Sequence, residues 1–387
     1  MDIKHNQSYN NLSFKGVNAR PLKGIFMTSD IGGIASEISS LRPKIGLDVF
    51  TLGKNGDIVS ENFAPEGTIP LQVMWAQDLF SFTEKNLFLE TVHNPAVPLI
   101  KEIGAKLEAY FGKKYSPKDY HLQGGNFINV EAQGQKELLV GSYELKNGLS
   151  VNEIKDRFQV DSVHSIPQVA AHLDAFMFVD DAKRAFVCDD ELTLKGIAEG
   201  IRKIEQYVKN NFIKISESEA RRMFDLRENL FKLLVAFHHI SERSPYAKTN
   251  EAIVALEKAG YNPIRIPGRI YQFLRTNGQI QHQYGTNFAN AILHKNHMGD
   301  TVVITNASSN DMCFGLDREF EQKVGFSFKK MFEDSVAPYI KKENIHYIEG
   351  QDYAVPSLLN NLGGVHCVSS EIIYTFLINQ NESFSRS

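Results

Sequence analysis

The sequence predicts a mixed α/β protein with a helical insertion, and three observations carry that expectation. From about residue 23 to 151 short apolar runs (IGLDVFTL, FINV, KELLVG) alternate with Gly, Asn and Asp, the punctuation of strands joined by turns. From about 192 to 262 the period changes, and Met223, Leu226, Leu230, Leu233, Leu234 and Phe237 fall on one helical face. Beyond that stretch FANAIL and DTVVITN return to strand character.

The elements follow in order. VPLIKEIGAKLEAYFG, near 97–112, carries apolar residues at helical spacing. AFMFVDDAKRAFVC reads as two strands around the polar turn Asp180-Asp181-Ala182-Lys183, within a β-rich stretch over roughly 160–190. Ser216 and Glu219 have capping-box spacing, with the serine accepting from a backbone N–H and the glutamate reaching back. A second helix near 250–259 is ended by Gly260 and followed by Pro263. A further helix is expected near 327–342, after which NIHYIEG leads to GGVHCVSSEI. No low-complexity linker intervenes, so residues 20–376 are expected to form one domain with the insertion at about 192–262, flanked by polar termini 1–19 and 377–387. Repeats of 20 to 50 residues are not visible.

Composition sets the class. A hydrophobic share of 42% with 23% charged residues is that of an ordinary globular chain. A net charge of -4 gives no general attraction to nucleic acid or anionic lipid, so neither is an expected partner. No run approaches the roughly 20 apolar residues of a membrane helix, and the start lacks a secretory signal; a cytoplasmic protein, or one exported without such a signal, is expected. Cys188, Cys313 and Cys367 are few, odd in number and far apart, which fits neither a disulfide framework nor a metal cluster. No metal and no cofactor are expected.

Four segments stand out chemically. In Gly363-Gly364-Val365-His366-Cys367, two glycines let the backbone turn tightly and bring a thiol close to a ligand, although a buried cysteine after an ordinary turn fits that pattern equally. His172-Leu173-Asp174, read as a strand, sends an imidazole and a carboxylate to one face beside an apolar run, where titratable groups are costly unless partnered. Trp75-Ala76-Gln77-Asp78 places the single tryptophan near a carboxylate, a way to hold a flat cation, with a core tryptophan and a capping aspartate as the plainer account. Gln123-Gly124-Gly125-Asn126 puts a double glycine before a strand, which alone is only a turn.

Taken together and in this order, these segments resemble the guanidine-modifying enzymes, or penteins, with a tryptophan and aspartate, a GGN-like loop, an HxD pair and a C-terminal HC spread over residues 75–367. The resemblance implies a five-bladed, pseudo-symmetric α/β propeller around a central site. Trp75-Ala76-Gln77-Asp78 looks like the WxQD of protein-arginine deiminases, which points to peptidyl arginine, while the Gln123-Gly124-Gly125-Asn126 loop is closer to that of deiminases of small molecules. Carried over by motif, Cys367 would be the nucleophile and His172 the general acid and base, with Asp78 and Asp174 pairing the guanidinium. Trp75, Gln77, Gly125, Asn126 and Asn290 would line the substrate, Asn290 orienting His172 or the substrate itself. The product would be citrulline and ammonia.

Neighbouring residues on a strand face opposite ways, so His366 reads as a turn residue rather than a catalyst. Asp180, Asp181, Asp189, Asp190 and Glu191 lack the spacing of a calcium loop and read as a solvated hairpin. An α-carboxylate clamp for a free amino acid would need a cation such as Arg184, Arg265 or Arg269. Two rivals differ in chemistry: an amidinotransferase, which passes the group to an amine, and a silent binding protein on the same fold, whose relatives lose the cysteine and histidine retained here.

Overall fold

The computed structural model describes residues 22–63, 76–82, 86–89, 96–112, 114–117, 124–146, 150–243, 247–274, 280–307, 318–351, 366 and 369–373. The chain opens with β1 (Leu22–Phe26), crosses through the helices α1 (Ile34–Ser40) and α2 (Arg42–Ile45) to β2 (Asp48–Leu52), parallel to β1, and adds β3 (Ile58–Val59). After a short helix α3 (Ala76–Leu79), one connectivity recurs. Two antiparallel strands are followed by a helical crossover to a third strand parallel to the second.

The second sheet has β4 (Phe80–Phe82), β5 (Asn86–Leu89) and β6 (Lys114–Pro117), with α4 (Val97–Phe111) between the last two. The third has β7 (Phe127–Ala132), β8 (Gln135–Gly141) and β9 (Ser162–Ile166), joined through α5 (Ser142–Lys146) and α6 (Val151–Phe158). In the fourth, β10 (Met177–Val179) and β11 (Arg184–Cys188) precede the long helices α7 (Asp190–Asn211), α8 (Glu217–Arg243) and α9 (Thr249–Lys258), and β12 (Asn262–Ile266) follows. The expected insertion is therefore an enlarged crossover. A separate hairpin, β13 (Arg269–Leu274) with β14 (Ile280–Thr286), precedes the fifth sheet. That sheet has β15 (Ile292–Lys295) and β16 (Thr301–Asn306), then α10 (Arg318–Val324), α11 (Phe328–Val336) and β17 (Ile345–Ile348). Finally β18 (Ser370–Ile373) returns to pair antiparallel with β1, giving the first sheet the same pattern from the two ends of the chain.

Local signals explain most boundaries. α4 stops where Gly112 takes φ +66, a left-handed cap that suits glycine. The capping box at Ser216 is half made, because Ser216 Oγ accepts from Glu219 N at 3.2 Å while the Glu219 carboxylate turns to Tyr207 Oη and Lys323 Nζ. A complete box, Ser150 with Glu153, starts α6, which the sequence reading passed over. The helix expected over 327–342 ends at Val336, since Pro338 has no N–H to continue it.

One apolar cluster runs from Ile25 in β1 to Ile348 in β17, with smaller clusters under the second and third sheets. The third and fourth sheets are also joined by a buried charge. Glu137 at the start of β8 is 4% exposed, and accepts from Lys183 Nζ at 2.6 Å and from Tyr261 Oη at 2.7 Å, with His164 Nε2 3.6 Å away. Burial, then the neighbouring carboxylate, holds the Tyr261 phenol protonated far above its ordinary range. Removing Glu137 leaves a cation and a hydroxyl without their acceptor, although Lys183 reaches solvent and can rehydrate. Glu137→Ala is therefore expected to destabilise by about 3 kcal/mol, the lower end for a broken buried pair; an unchanged urea midpoint by circular dichroism would show that this cluster does not join the sheets.

Candidate active site

Each of these sequence-derived candidates precedes one strand of an antiparallel pair. Asp78 lies ahead of β4, Asn126 ahead of β7, Asp174 ahead of β10, Asn290 ahead of β15, and His366 with Cys367 ahead of β18. Of these, the segments of Asn126, Asp174, Asn290 and His366, far apart in sequence, are joined by hydrogen bonds. Among those strands, β18 packs beside β4 and β7 beside β10, while α3 packs against β18 and against the turn Gly124–Asn126.

Asp174 is the centre of the described geometry. Its side chain is 3% exposed. Oδ2 accepts from Asn290 Nδ2 at 2.9 Å and lies 2.9 Å from His366 Nδ1; Oδ1 faces His172 Nδ1 at 4.0 Å. Asn290 reaches further, its Oδ1 accepting from His366 N at 2.9 Å. Asn287 shapes the loop beneath, accepting from the N–H groups of Ala289 and Asn290 and donating to Ala175 O. His172 alone of this group is open, with its side chain 20% exposed.

The segment His172–Asp174 is not the strand the sequence suggested but a bend and turn ahead of β10. Phe176 and Met177 N–H groups close back on Leu173 O, and the segment docks on the glycine loop: Asp174 N donates to Gly125 O at 3.1 Å and Leu173 N to Asn126 Oδ1 at 3.2 Å. Imidazole and carboxylate thus converge by docking rather than by strand alternation. The turn reading of His366 holds, but its supposed orientation away from the site does not, because the residue lies in a turn where strand alternation has no force. Asn290 donates to Asp174, whose other oxygen faces His172.

Gly125 is required by space. A Cβ there would stand 2.6 Å from His172 Nδ1 and 2.7 Å from Asp174 Oδ1. Asn126 is buried and engaged with the protein, donating to Glu144 Oε1 at 2.7 Å and accepting from Gln168 Nε2 at 3.0 Å. Its Oδ1 also accepts from Leu173 N, so it braces the HxD segment. Gln168 completes the brace by accepting from Tyr143 N and donating to Ala171 O. Nothing in the sequence flagged Glu144, Gln168 or Asn287, which look like ordinary polar residues until the loops meet.

Other expectations are placed as follows. Gln77 and Asp78 lie in α3, described by backbone, and Trp75, Gln123, Cys313 and Cys367 lie outside the described residues. Cys188 is a free, buried cysteine in β11. The five acidic residues do not gather: Asp180 and Asp181 lie at the β10–β11 turn, paired with Arg184 and Lys295, while Asp189 at the other end of β11 caps α7 and pairs with Arg265. Among the described residues no cluster of three or more His, Cys, Asp or Glu could hold a metal ion, and no helix is long and apolar enough to cross a membrane.

No protein-family model matches the chain, and no curated protein sequence matches it. Solved structures do. Agmatine deiminase of C. jejuni superposes with a TM-score of 0.51 at 14% identity, over 92% of this chain and 94% of that one. DDAH from Pseudomonas aeruginosa, solved with citrulline, gives 0.43 at 10% identity over 91% and 99% of the two chains. The N-terminal domain of ArgZ, an arginine dihydrolase from Cyanobacteria solved with its product, gives 0.41 at 10% over 88% and 85%.

Because Gly125 leaves no room for a methyl group, Gly125→Ala is expected to displace His172 and Asp174 and to destabilise by about 1–3 kcal/mol, the range for overpacking. Histidine resonances in NMR spectra would register the displacement. Unchanged His172 signals together with unchanged stability would mean that the glycine loop does not set this geometry.

Proposed function

From the fold of the guanidine-modifying superfamily, which this chain shares, we propose that the protein is a deiminase that hydrolyses the guanidinium of a small molecule to a ureido product and ammonia. The observation that carries this reading is the convergence of His172, Asn290 and His366 on Asp174, beside the Gly125 loop. The five like sheets are read as blades of one propeller, with residues 20–376 as a single catalytic unit.

In this mechanism Asp174 and Asp78 balance the planar cation and place its carbon beside Cys367. The thiolate attacks, an S–C bond forms, and the C–N bond to one terminal nitrogen breaks once His172 has delivered a proton, releasing ammonia. Water, deprotonated by His172, then attacks the thiouronium carbon, and sulfur departs. The overall change is guanidinium plus water to urea and ammonium.

A small substrate is preferred here to the peptidyl arginine suggested by Trp75-Ala76-Gln77-Asp78. The solved neighbours carry names or ligands of small compounds: agmatine, citrulline, arginine. Of the three arginines named above as candidates for an α-carboxylate clamp, two are committed. Arg184 pairs with Asp180 and lies over the Tyr339 ring; Arg265 pairs with Asp189 and donates to Asn250 Oδ1 at 3.0 Å. The side chain of Arg269 lies outside the described residues. A guanidine without an α-carboxylate, of the agmatine type, suits this arrangement best.

Ammonia release measured side by side on agmatine, free arginine and an arginine-containing peptide is expected to rank agmatine first, without any added amine acceptor. Preference for the peptide would restore the protein-directed reading, and a need for an amine would identify a transferase.

Cys367→Ala is expected to abolish turnover with the fold intact, since this reading gives the attack to the Cys367 thiolate and Cys188 is buried in β11. His172→Ala should instead stall after attack and accumulate an adduct at Cys367, visible as added mass on the intact protein. Near-parental hydrolysis by either variant would remove that residue from the chemistry.

A further inference from the structure

Helix α8, in the enlarged crossover of the fourth sheet, carries apolar side chains on two faces. Met223, Leu226 and Leu230 are buried in the main core, with Leu234 packed against it. On the outer face Phe224 is 58% exposed, Phe231 52% and Val235 44%, and the turn from α7 adds Phe212 and Ile213, both exposed still further. These five are half of the ten large apolar side chains exposed among the described residues. Scattered singly such residues need no explanation, whereas a row along one element marks a contact surface. The inner stripe already anchors the helix, so the fold itself leaves the outer row without a use.

We propose that the outer face of α8 is a dimer interface whose occupant is α8 of a second copy of this chain, antiparallel across a two-fold axis. Phe224, Glu228, Phe231 and Val235 are spaced by four, three and four residues, the seam along which one helix packs on another. Charge complementarity decides both partner and direction. Asp225 and Lys232, both exposed, stand seven residues apart on the same edge of that seam. Antiparallel helices set this edge against itself, so an axis near residues 229 and 230 brings Asp225 beside Lys232 of the second copy, twice over. The same register sets Phe224 against Val235 of the second copy, each about 8 Å from the axis at a rise of 1.5 Å per residue. Glu228 has Lys232 of its own chain at 3.5 Å, so its carboxylate enters the seam with a cation beside it. A parallel pair would instead put Asp225 against Asp225 and Lys232 against Lys232. A lipid surface fits less well, because Asp225 and Glu228 would be pressed against anionic headgroups.

Sedimentation equilibrium of the full chain tests this, and the wild type is expected to dimerise. Phe231→Glu changes an exposed position and leaves the inner stripe intact. It is expected to raise the dimer dissociation constant about thirtyfold or more, as for loss of a hot-spot residue, with an unchanged far-ultraviolet circular dichroism spectrum. Charge reversal separates this interface from any other. Asp225→Lys and Lys232→Asp should each weaken the dimer alone, since like charges then meet at both contacts. An equimolar mixture of the two variants should recover it as a heterodimer in which opposite charges meet at both. A monomeric wild type overturns the proposal, and its capture by vesicles of phosphatidylserine and phosphatidylcholine, lost in Phe231→Glu, would give the face to a lipid surface. A dimer indifferent to Phe231→Glu, or reversal variants that do not recover on mixing, would overturn it equally, because association then runs through another surface or register.

Discussion

The burial of Asp174 is the constraint on which the site depends. A carboxylate withdrawn from water costs several kcal/mol unless donors replace its hydration. The chain meets that demand with polar groups from two other segments, Asn290 and His366, both themselves buried. Those groups then need fixing in turn. Asn290 is held by the Asn287 loop, Asn287 O and Asn290 O both accept from Asn306 Nδ2, and His366 is held by Asn290 and Ser369. A single charge thus imposes order on loops more than a hundred residues apart in sequence.

The repeated connectivity makes such convergence possible. One short motif ahead of a strand in each of four sheets suffices to join the loops of Asn126, Asp174, Asn290 and His366. None of those loops has to be long. The third and fourth sheets, which contribute Gly125 and Asp174, are tied at both ends: by Asp174 N to Gly125 O at the site, and by Glu137 with Lys183 and Tyr261 at the opposite end. With the ends held by polar contacts and the middle by the continuous apolar core, relative sliding of the two sheets would break contacts at both ends together.

Much of this was legible in the sequence, for reasons that differ by level. Strand and helix positions followed from apolar period, as in α4 and the β10–β11 hairpin, because burial on one face leaves a pattern. The repeat of five sheets left no visible trace, since connectivity is preserved by where turns and apolar runs fall and not by residue identity. Strand alternation does not bring the HxD pair together; hydrogen bonds to Gly125 O and Asn126 Oδ1 create the approach. Glu144, Gln168 and Asn287 carried no signal at all, because a buried polar brace differs from a surface residue only in what lies across from it.

That contrast bears on how the two histidines divide their work. His172 and His366 flank the same carboxylate, yet one has a side chain 20% exposed and the other is buried with its Nδ1 2.9 Å from an oxygen. Proton transfer to a departing nitrogen and from an incoming water requires an imidazole that can reach both, which favours the open residue. Holding a charge in one orientation requires an imidazole that does not move, which favours the buried one. Chemical identity is the same in both cases. Accessibility separates the open imidazole, proposed as the proton carrier, from the buried one that holds the carboxylate.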